Sequence, residues 1–204
     1  MSFNSFYQLV FITVLFSGCA SLSPAKNQNL HSKSNNAEAK QEHICKDKTS
    51  NECNDMGVEF ELADDFKSAE ICYEEACKSD LAVACSNLGS LYQKFNDDKN
   101  DAEVLNLFLK SCRLNSKYGC YNAGNSYRLG TETGHNFVRA IKLYEKACID
   151  LKHSKSCTNL GGMHQFSLGV EGGSRDVARK YYKMGCELGD EVGCKNFSLL
   201  EDKF

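Results

Sequence analysis

The sequence predicts an all-α protein, a solenoid of antiparallel helix pairs that disulfide bonds clamp together. Three observations lead to this prediction. Cysteine pairs return along the chain at a repeat-like period, small and large residues recur at helical spacing around each pair, and polar or glycine-containing turns separate the two cysteines. Each unit is therefore predicted to be one helix pair that gains its stability by stacking on its neighbours.

The cysteine pairs define the repeat. The first cysteine of each pair recurs after 32, 35, 36 and 38 residues, a range typical of small supersecondary repeats. Structural zinc sites hold their cysteines two to four residues apart, so the wider spacing here favours disulfides, and no metal or cofactor is expected. The five pairs are Cys45–Cys53, Cys77–Cys85, Cys112–Cys120, Cys148–Cys157 and Cys186–Cys194.

The first segment, residues 1–18, is similar to an export signal of the lipoprotein type. Phe6 to Phe16 is almost wholly apolar but too short to span a bilayer, which takes about 20 residues. Small residues then precede Cys19, as in a bacterial lipobox, so we expect Cys19 to be lipidated. Ordinary cleavage nearby is the alternative. Either route exports the chain to an oxidising compartment: the bacterial periplasm, the outer membrane as a lipoprotein, or the outside.

Residues 19–42 are predicted to form a disordered polar tether. They include the chain's only proline, Pro24, and too few apolar residues to bury a core. A flexible segment of this kind would hold a folded module off a membrane surface. We therefore expect contact with the membrane through the lipid anchor only.

Residues 43–204 are predicted to fold as about four repeats plus a closing helix. The positions zero, three, four and seven after the second cysteine of each pair form one face of a first helix. The residue four positions after the second cysteine is usually glycine, which lowers the stability of a helix by about 1 kcal/mol relative to alanine. Its recurrence predicts that a neighbouring helix crosses too close for a side chain. These glycines are Gly57, Gly89, Gly124 and Gly161.

The positions before the first cysteine of each pair predict a second helix. An aromatic residue stands four positions before that cysteine, and small residues stand one and mostly eight positions before it. Small residues facing large ones allow two helices to interlock at native density. The aromatic residues are Tyr73, Phe108, Tyr144 and Tyr182.

The two cysteines of a pair are predicted to lie across a turn between helices. Residues eight apart in one helix are about 12 Å apart along its axis, whereas a disulfide needs Cα atoms within about 7 Å. The chain must therefore reverse between them, at turns such as residues 78–80 and 188–190. Each bridge would clip the end of one helix to the start of the next and contribute about 2.5 kcal/mol.

Cys72 is left over once the five pairs and Cys19 are assigned. It stands in the register that holds Leu107, Leu143 and Tyr181 in later units, which predicts a buried thiol. An intermolecular disulfide or a reactive site is the alternative.

Composition and motifs exclude several functions. The net charge of −3 and the absence of a basic block argue against a nucleic-acid partner. The sequence contains no H-E-x-x-H and no G-x-S-x-G. Its only S-x-x-K is Ser23 to Lys26 in the predicted tether, without the S-D-N and K-T-G motifs of serine β-lactamases. No catalytic residue is therefore predicted.

Two strings resemble the Sel1-like repeat, a relative of the tetratricopeptide repeat. They are Cys-Ser-Asn-Leu-Gly-Ser-Leu-Tyr at 85–92 for the first helix and Ala-Ile-Lys-Leu-Tyr-Glu-Lys-Ala-Cys at 140–148 for the second. The resemblance covers residues 43–204, and the cysteine spacing narrows it to the cysteine-rich, secreted Hcp type. It implies a right-handed α/α superhelix whose first helices line a concave groove. The implied groove residues are Asn87, Asn122, Asn159, Tyr121 and Asn125.

The resemblance also implies a function. Asparagine amides in a row could hold an extended peptide or a carboxylate, or could only join neighbouring helices by hydrogen bonds. We expect an exported scaffold, monomeric, that binds a protein or peptide in the cell envelope. The alternatives implied by related proteins are a penicillin-binding protein of the Hcp type with weak β-lactamase activity, and a eukaryotic intermembrane-space assembly factor.

Overall fold

The structure is a computed structural model that describes residues 44–95, 101–130 and 134–201. The predicted signal (residues 1–18), the predicted lipidation site Cys19 and the predicted tether (residues 19–42) lie outside the described residues.

The described residues form α-helices that pack in chain order, each mainly against the helix before it and the helix after it. Four antiparallel pairs are followed by a last helix, and the predicted all-α, disulfide-clamped solenoid is confirmed. The helices are α1 (Ser50–Leu62), α2 (Phe66–Lys78), α3 (Ala82–Phe95), α4 (Asp101–Arg113), α5 (Lys117–Leu129), α6 (Phe137–Glu145), α7 (Ser154–Gln165), α8 (Arg175–Glu187) and α9 (Glu191–Glu201).

Four disulfides clamp the end of each pair to the start of the next helix. The first cysteine lies at the end of a second helix, the other lies in the first turn of the helix that follows, and their Cα atoms are between 4.4 and 4.9 Å apart. One residue of each intervening turn takes the left-handed backbone conformation that reverses the chain: Asp80, Asn115, Lys152 and Gly189. The bonded pairs are Cys77–Cys85, Cys112–Cys120, Cys148–Cys157 and Cys186–Cys194.

The predicted Cys45–Cys53 bridge is not formed in the structure, where both residues are free thiols. Each bonded first cysteine is held at the end of a helix. Cys45 instead lies in a turn, residues 44–47, ahead of α1. The Cys45 thiol forms hydrogen bonds with the thiols of both Cys53 and Cys72. The first unit therefore has three clustered thiols where later units have a disulfide, and a Cys45–Cys53 bridge stays a prediction for the oxidised protein.

Cys72 is fully buried and unbonded, as the buried-thiol interpretation predicted. Burial raises the pKa of Cys45 to about 11 and that of Cys53 to about 12, and it also raises the pKa of Cys72. The thiolate is the nucleophile, so all three residues are poorly reactive while the protein is folded.

If the three thiols are free, as in the structure, they should resist iodoacetamide in the folded protein and react in urea without reductant. Peptide mass mapping before and after unfolding measures this directly. The bonded pair Cys77–Cys85 is the internal control, which should stay unlabelled until reductant is added. Labelling of Cys72 alone in urea would show that Cys45 and Cys53 had closed their bridge.

The repeated glycine of the first helices faces an aromatic ring of the second helix. A Cβ atom at these positions would lie 2.5–2.7 Å from the nearest ring carbon, closer than real Cβ atoms come to a neighbour. The predicted close crossing of helices is thus confirmed, and a buried ring is what approaches. The pairs are Gly57–Tyr73, Gly89–Phe108, Gly124–Tyr144 and Gly161–Tyr182.

A π-helical turn accommodates the additional residue of the Cys148–Cys157 pair. Helix α6 ends at Glu145 and continues as a π-helix over Lys146–Asp150, which contains Cys148. A π turn holds one more residue than an α turn. The Cα atoms of this pair therefore remain 4.9 Å apart, although its sequence separation is nine rather than eight.

Two lysines join consecutive units beside the disulfides. Lys110 Nζ donates to the carbonyl oxygen of Cys77 at 2.7 Å, and Lys146 Nζ donates to that of Cys112 at 2.9 Å. Both acceptors lie at the C-terminal end of a second helix, where the helix dipole favours a cation. Each lysine stands two positions before the first cysteine of its own pair, so the contact recurs at the same register in two units.

Candidate functional site

The five predicted groove residues lie on the first helices of three successive pairs. Asn87 is on α3, Tyr121, Asn122 and Asn125 are on α5, and Asn159 is on α7. All five are half-buried, so each packs against the fold and also exposes part of its side chain. The structure thus brings them to one set of helices.

Several of these asparagines form hydrogen bonds between first helices. Asn87 Nδ2 on α3 donates to Asn54 Oδ1 on α1 at 3.0 Å, and Asn159 Nδ2 on α7 donates to Asn125 Oδ1 on α5 at 3.3 Å. The interpretation that the amides join helices is therefore correct for these positions. Asn122 is different, because its side chain has no hydrogen bond to another described residue.

A polar register eight positions after the second cysteine went unrecognised in the sequence. Glu61 Oε2 accepts a hydrogen bond from the Tyr73 hydroxyl at 2.9 Å, and Gln165 Oε1 accepts one from the Tyr182 hydroxyl at 2.7 Å. A buried phenol needs such a partner. The signal was present, because a polar residue stands at this register in each of the four units: Glu61, Gln93, Arg128 and Gln165.

Arg128 occupies the same register in the third unit and carries a positive charge. Its Nε donates to the Tyr144 hydroxyl at 3.2 Å, and that hydroxyl donates to Asn125 Oδ1 at 2.7 Å. Burial raises the pKa of Tyr144, which keeps the phenol protonated despite the neighbouring guanidinium. Arg128 and Asn125 are thus fixed in place by one buried tyrosine.

Tyr121 packs on a buried histidine and on Tyr144. Its ring centroid lies 4.7 Å from that of His153, and His153 Nδ1 lies 2.9 Å from Ser156 Oγ. A serine beside a histidine is a geometry that nucleophilic catalysis uses. Ser156 is fully buried and His153 is 7% exposed, and they stand at the start of α7, so the pair completes a helix terminus.

The buried His153 makes the protein acid-sensitive. Burial, with Lys117 and Lys155, lowers its pKa to about 4, and Asp190 partly opposes this shift. Above pH 6.5 the imidazole is neutral in both the folded and the unfolded state. Between pH 6.5 and about 4 only the unfolded state takes up the proton, so the free energy of unfolding falls, by about 2–3 kcal/mol in all.

We expect His153→Asn to remove this part of the acid sensitivity, because asparagine can begin the helix without titrating. Urea unfolding of both proteins between pH 7.5 and 4 measures it. The variant starts less stable at pH 7.5, and the difference shrinks as the pH falls. Parallel stability curves would mean that His153 is protonated as readily in the folded protein as in the unfolded chain.

An open pocket lies where α5, α7 and α9 meet, and we name it the Arg128 pocket. Its volume is about 310 Å³. Arg128 is its single charged lining residue among those described, and the amides of Asn159 and Asn196 also line it. The apolar lining includes the exposed side chains of Phe166 and Val192. The remaining lining residues are Thr158, Gly162, Met163, Leu168 and Tyr182.

A second pocket of about 340 Å³ lies between α1 and α3, and we name it the Glu61 pocket. Asn87 lines it, with Glu61 at the register that Arg128 occupies in the other pocket. The rings of Phe66 and Phe95, stacked 3.9 Å apart, close one side. The remaining lining residues are Val58, Leu62, Asp64, Tyr73 and Lys94.

Residues 44–95, 101–130 and 134–201 contain no group of three or more metal-ligating side chains that could hold an ion. None of the helices in those ranges combines the length and the apolar character that crossing a bilayer requires.

The helix pairs, disulfides and glycine–aromatic contacts define an α-solenoid repeat protein. The Sel1 repeat matches residues 117–149 and 154–190, which hold α5 to α8. The chain therefore contains Sel1 repeats over these residues, and its fold supports a protein-interaction module.

Solved structures agree with this fold. A Sel1 repeat protein from Oxalobacter formigenes superposes with a TM-score of 0.67 at 24% identity, covering 74% of this chain and 61% of the other. Cysteine rich protein B of Helicobacter pylori superposes with a TM-score of 0.52 at 29% identity, covering 64% of this chain and 93% of the other. The second comparison joins the chain to the cysteine-rich type that the spacing predicted.

Among curated proteins, the chain is similar to the cytochrome c oxidase assembly factor 7 homolog of Drosophila melanogaster. The two are 28% identical over 114 residues, which is 51% of this chain and 42% of the relative. The aligned part thus spans less than half of that relative.

Proposed function

We propose that this Sel1 repeat protein is a binding module without catalytic activity, and that the face of its first helices holds an extended peptide segment of a partner protein. The observation that supports this most is the position of the predicted amides. Asn87 lines the Glu61 pocket, Asn159 lines the Arg128 pocket, and Asn122 lies on the intervening helix α5. Two pockets and the amide between them offer a path for an extended chain.

The chemistry of this face suits a peptide backbone. Each amide side chain offers two donors and an acceptor, and the two bridging amides use only part of that capacity. The amide of Asn122 forms no hydrogen bond with any residue that the structure describes. Side-chain pockets beside a row of backbone-binding amides give a peptide both affinity and sequence preference.

We further propose that the protein acts as a monomer in the cell envelope, in the periplasm or on the outer membrane, held by a lipid on Cys19. The predicted signal and the four disulfides support export. The intact mass of the mature protein tests this. A diacylglycerol adduct on an N-terminal Cys19 is expected, and an unmodified N-terminus downstream of Cys19 would contradict the anchor.

A pull-down from envelope extract tests the binding face. Asn122→Ala should reduce the amount of captured partner several-fold, because it removes an amide that no helix contact uses. Asn106→Ala is the matched control, since Asn106 is an exposed asparagine on the second helix α4. Equal losses for both variants, or no loss for either, would contradict the assignment of the face.

The β-lactamase alternative has no specific observation in its favour. The one serine–histidine pair described here, His153 with Ser156, is buried and lines neither pocket. We expect the purified, oxidised protein to hydrolyse nitrocefin no faster than buffer does. Nitrocefin turnover that a substitution in either pocket abolishes would favour a β-lactamase over a binding module.

An assembly role is a second candidate, favoured by the similarity to the cytochrome c oxidase assembly factor 7 homolog. In that role the same face would hold a subunit of a respiratory complex before it is incorporated. The identity of the captured partner separates the two candidates. Respiratory subunits in the pull-down would favour assembly, whereas other envelope proteins would favour a general scaffold.

A further inference from the structure

We propose that the Arg128 pocket is the carboxylate-binding subsite of the first-helix face, and that it takes a carboxylate next to an apolar side chain. A peptide's C-terminus and an Asp or Glu side chain both provide this chemistry. The inference rests on the proposed function, since it names the class of peptide that the face selects.

The guanidinium of Arg128 is held in one orientation, while part of its hydrogen-bonding capacity remains unused by the described residues. Its Nε is fixed by the Tyr144 hydroxyl, which is itself anchored on Asn125. Its two terminal nitrogens form no hydrogen bond or ion pair with a described residue. Arginine pairs with carboxylates through two parallel hydrogen bonds, so a guanidinium held by Nε alone presents the fork that a carboxylate needs.

Two amides complete the polar wall of the pocket. Asn159 donates to Asn125 Oδ1 and also forms a hydrogen bond with the Tyr144 hydroxyl, which fixes the orientation of its amide. Asn196, on α9, lines the same pocket and is half-buried. The Asn196 amide can donate to a carboxylate oxygen or to the last backbone carbonyl of a peptide.

The opposite wall is apolar and open. Phe166 is 67% exposed and Val192 is 57% exposed, and both line the pocket together with Met163. Among the described lining residues there is no aspartate or glutamate that would compete for Arg128. At about 310 Å³ the pocket is at the small end of ligand sites, which fits the end of a peptide.

The two pockets on the face of the first helices differ in charge. In the Glu61 pocket the register that holds Arg128 is occupied by Glu61, and Asp64 and Lys94 are the other charged residues that line this pocket. A ligand carboxylate in this pocket would be repelled by Glu61 and Asp64 and attracted by Lys94. A bound peptide is therefore oriented with its carboxylate toward α7 and α9.

Pools of immobilised hexapeptides, randomised at the last three positions, test the subsite with the purified protein. One pool ends in a free carboxylate, a second is amidated, and a third is amidated and lacks Asp and Glu. We expect at least ten-fold stronger retention on the first pool than on the third, with an apolar residue at or next to the C-terminus. Strong retention on the second pool would identify a side-chain carboxylate as the source. Equal retention on the first and third pools would overturn the proposal.

Two variants give the matched comparison. Val192→Glu places a carboxylate at the exposed mouth of the Arg128 pocket and should abolish the preference. Val58→Glu makes the same change at an exposed valine of the Glu61 pocket and should leave it unchanged. Arg128→Gln should also abolish it, with thermal unfolding checking the fold. If Asn122→Ala weakens partner capture while no pool is preferred, the proposed function stands and the subsite fails.

Discussion

Replacing both Cys112 and Cys120 by alanine is expected to lower the free energy of unfolding by about 2.5 kcal/mol. The bridge closes a loop of about nine residues, and its loss returns that loop's entropy to the unfolded chain. The loss matters more here than in a globular domain, because each unit of a solenoid is stabilised only by its neighbours. Urea unfolding of the oxidised proteins at pH 7.5 measures it.

The same measurement with enough dithiothreitol to open every bridge is the control. Wild type and variant then both lack the Cys112–Cys120 bridge, so their stabilities should converge. A difference that persists under reductant would show that the two sulfurs act by packing, since both are buried, rather than by closing the loop.

Replacing Gly161 by alanine is expected to destabilise the protein by about 1–3 kcal/mol, the usual cost of overpacking a core. The added Cβ would lie 2.5 Å from Tyr182 Cδ1. That ring cannot move aside freely, because it is 2% exposed and its hydroxyl is bonded to Gln165. The intrinsic preference of helices for alanine offsets about 1 kcal/mol of the clash.

Gly162 provides a control one residue away on the same helix. A Cβ there would meet only the Tyr182 hydroxyl oxygen, at 3.7 Å, which is an ordinary contact. Gly162→Ala should therefore stabilise α7 by up to about 1 kcal/mol. Thermal and urea unfolding of the two variants should give opposite signs. A loss of stability in both would mean that backbone conformation, and not the ring, explains the glycines.

The repeat and its clamps could be predicted because they are local and periodic. Cys77 and Cys85 lie on either side of a single turn between two helices. Their spacing in the sequence is therefore enough to restrict the geometry of the bridge. Gly161 and Tyr182 lie on adjacent helices at registers that recur in every pair. Cys45 breaks the pattern, because no described helix precedes it, and the period could not reveal that its thiol is shared with Cys72.

The candidate site could be predicted only in part. The sequence placed Asn87, Asn122 and Asn159 on first helices, and two of these line pockets. It could not show which amides are consumed by contacts between units, because those bonds join residues more than thirty positions apart. Arg128 was missed for the same reason. Its importance comes from Tyr144 behind it and from α9 opposite, neither of which is close in sequence.

The shortness of every disulfide loop has a consequence for how the chain matures. Each bridge joins cysteines only eight or nine residues apart, and for Cys112, Cys148 and Cys186 the correct partner is the cysteine that diffuses into contact most readily. A unit can oxidise as soon as its own turn has formed, without waiting for the C-terminus. Cys77 is the exception, because the free thiol of Cys72 is nearer to it in the sequence than Cys85 is. A Cys72–Cys77 mispair is therefore the one error that we expect a disulfide isomerase to correct.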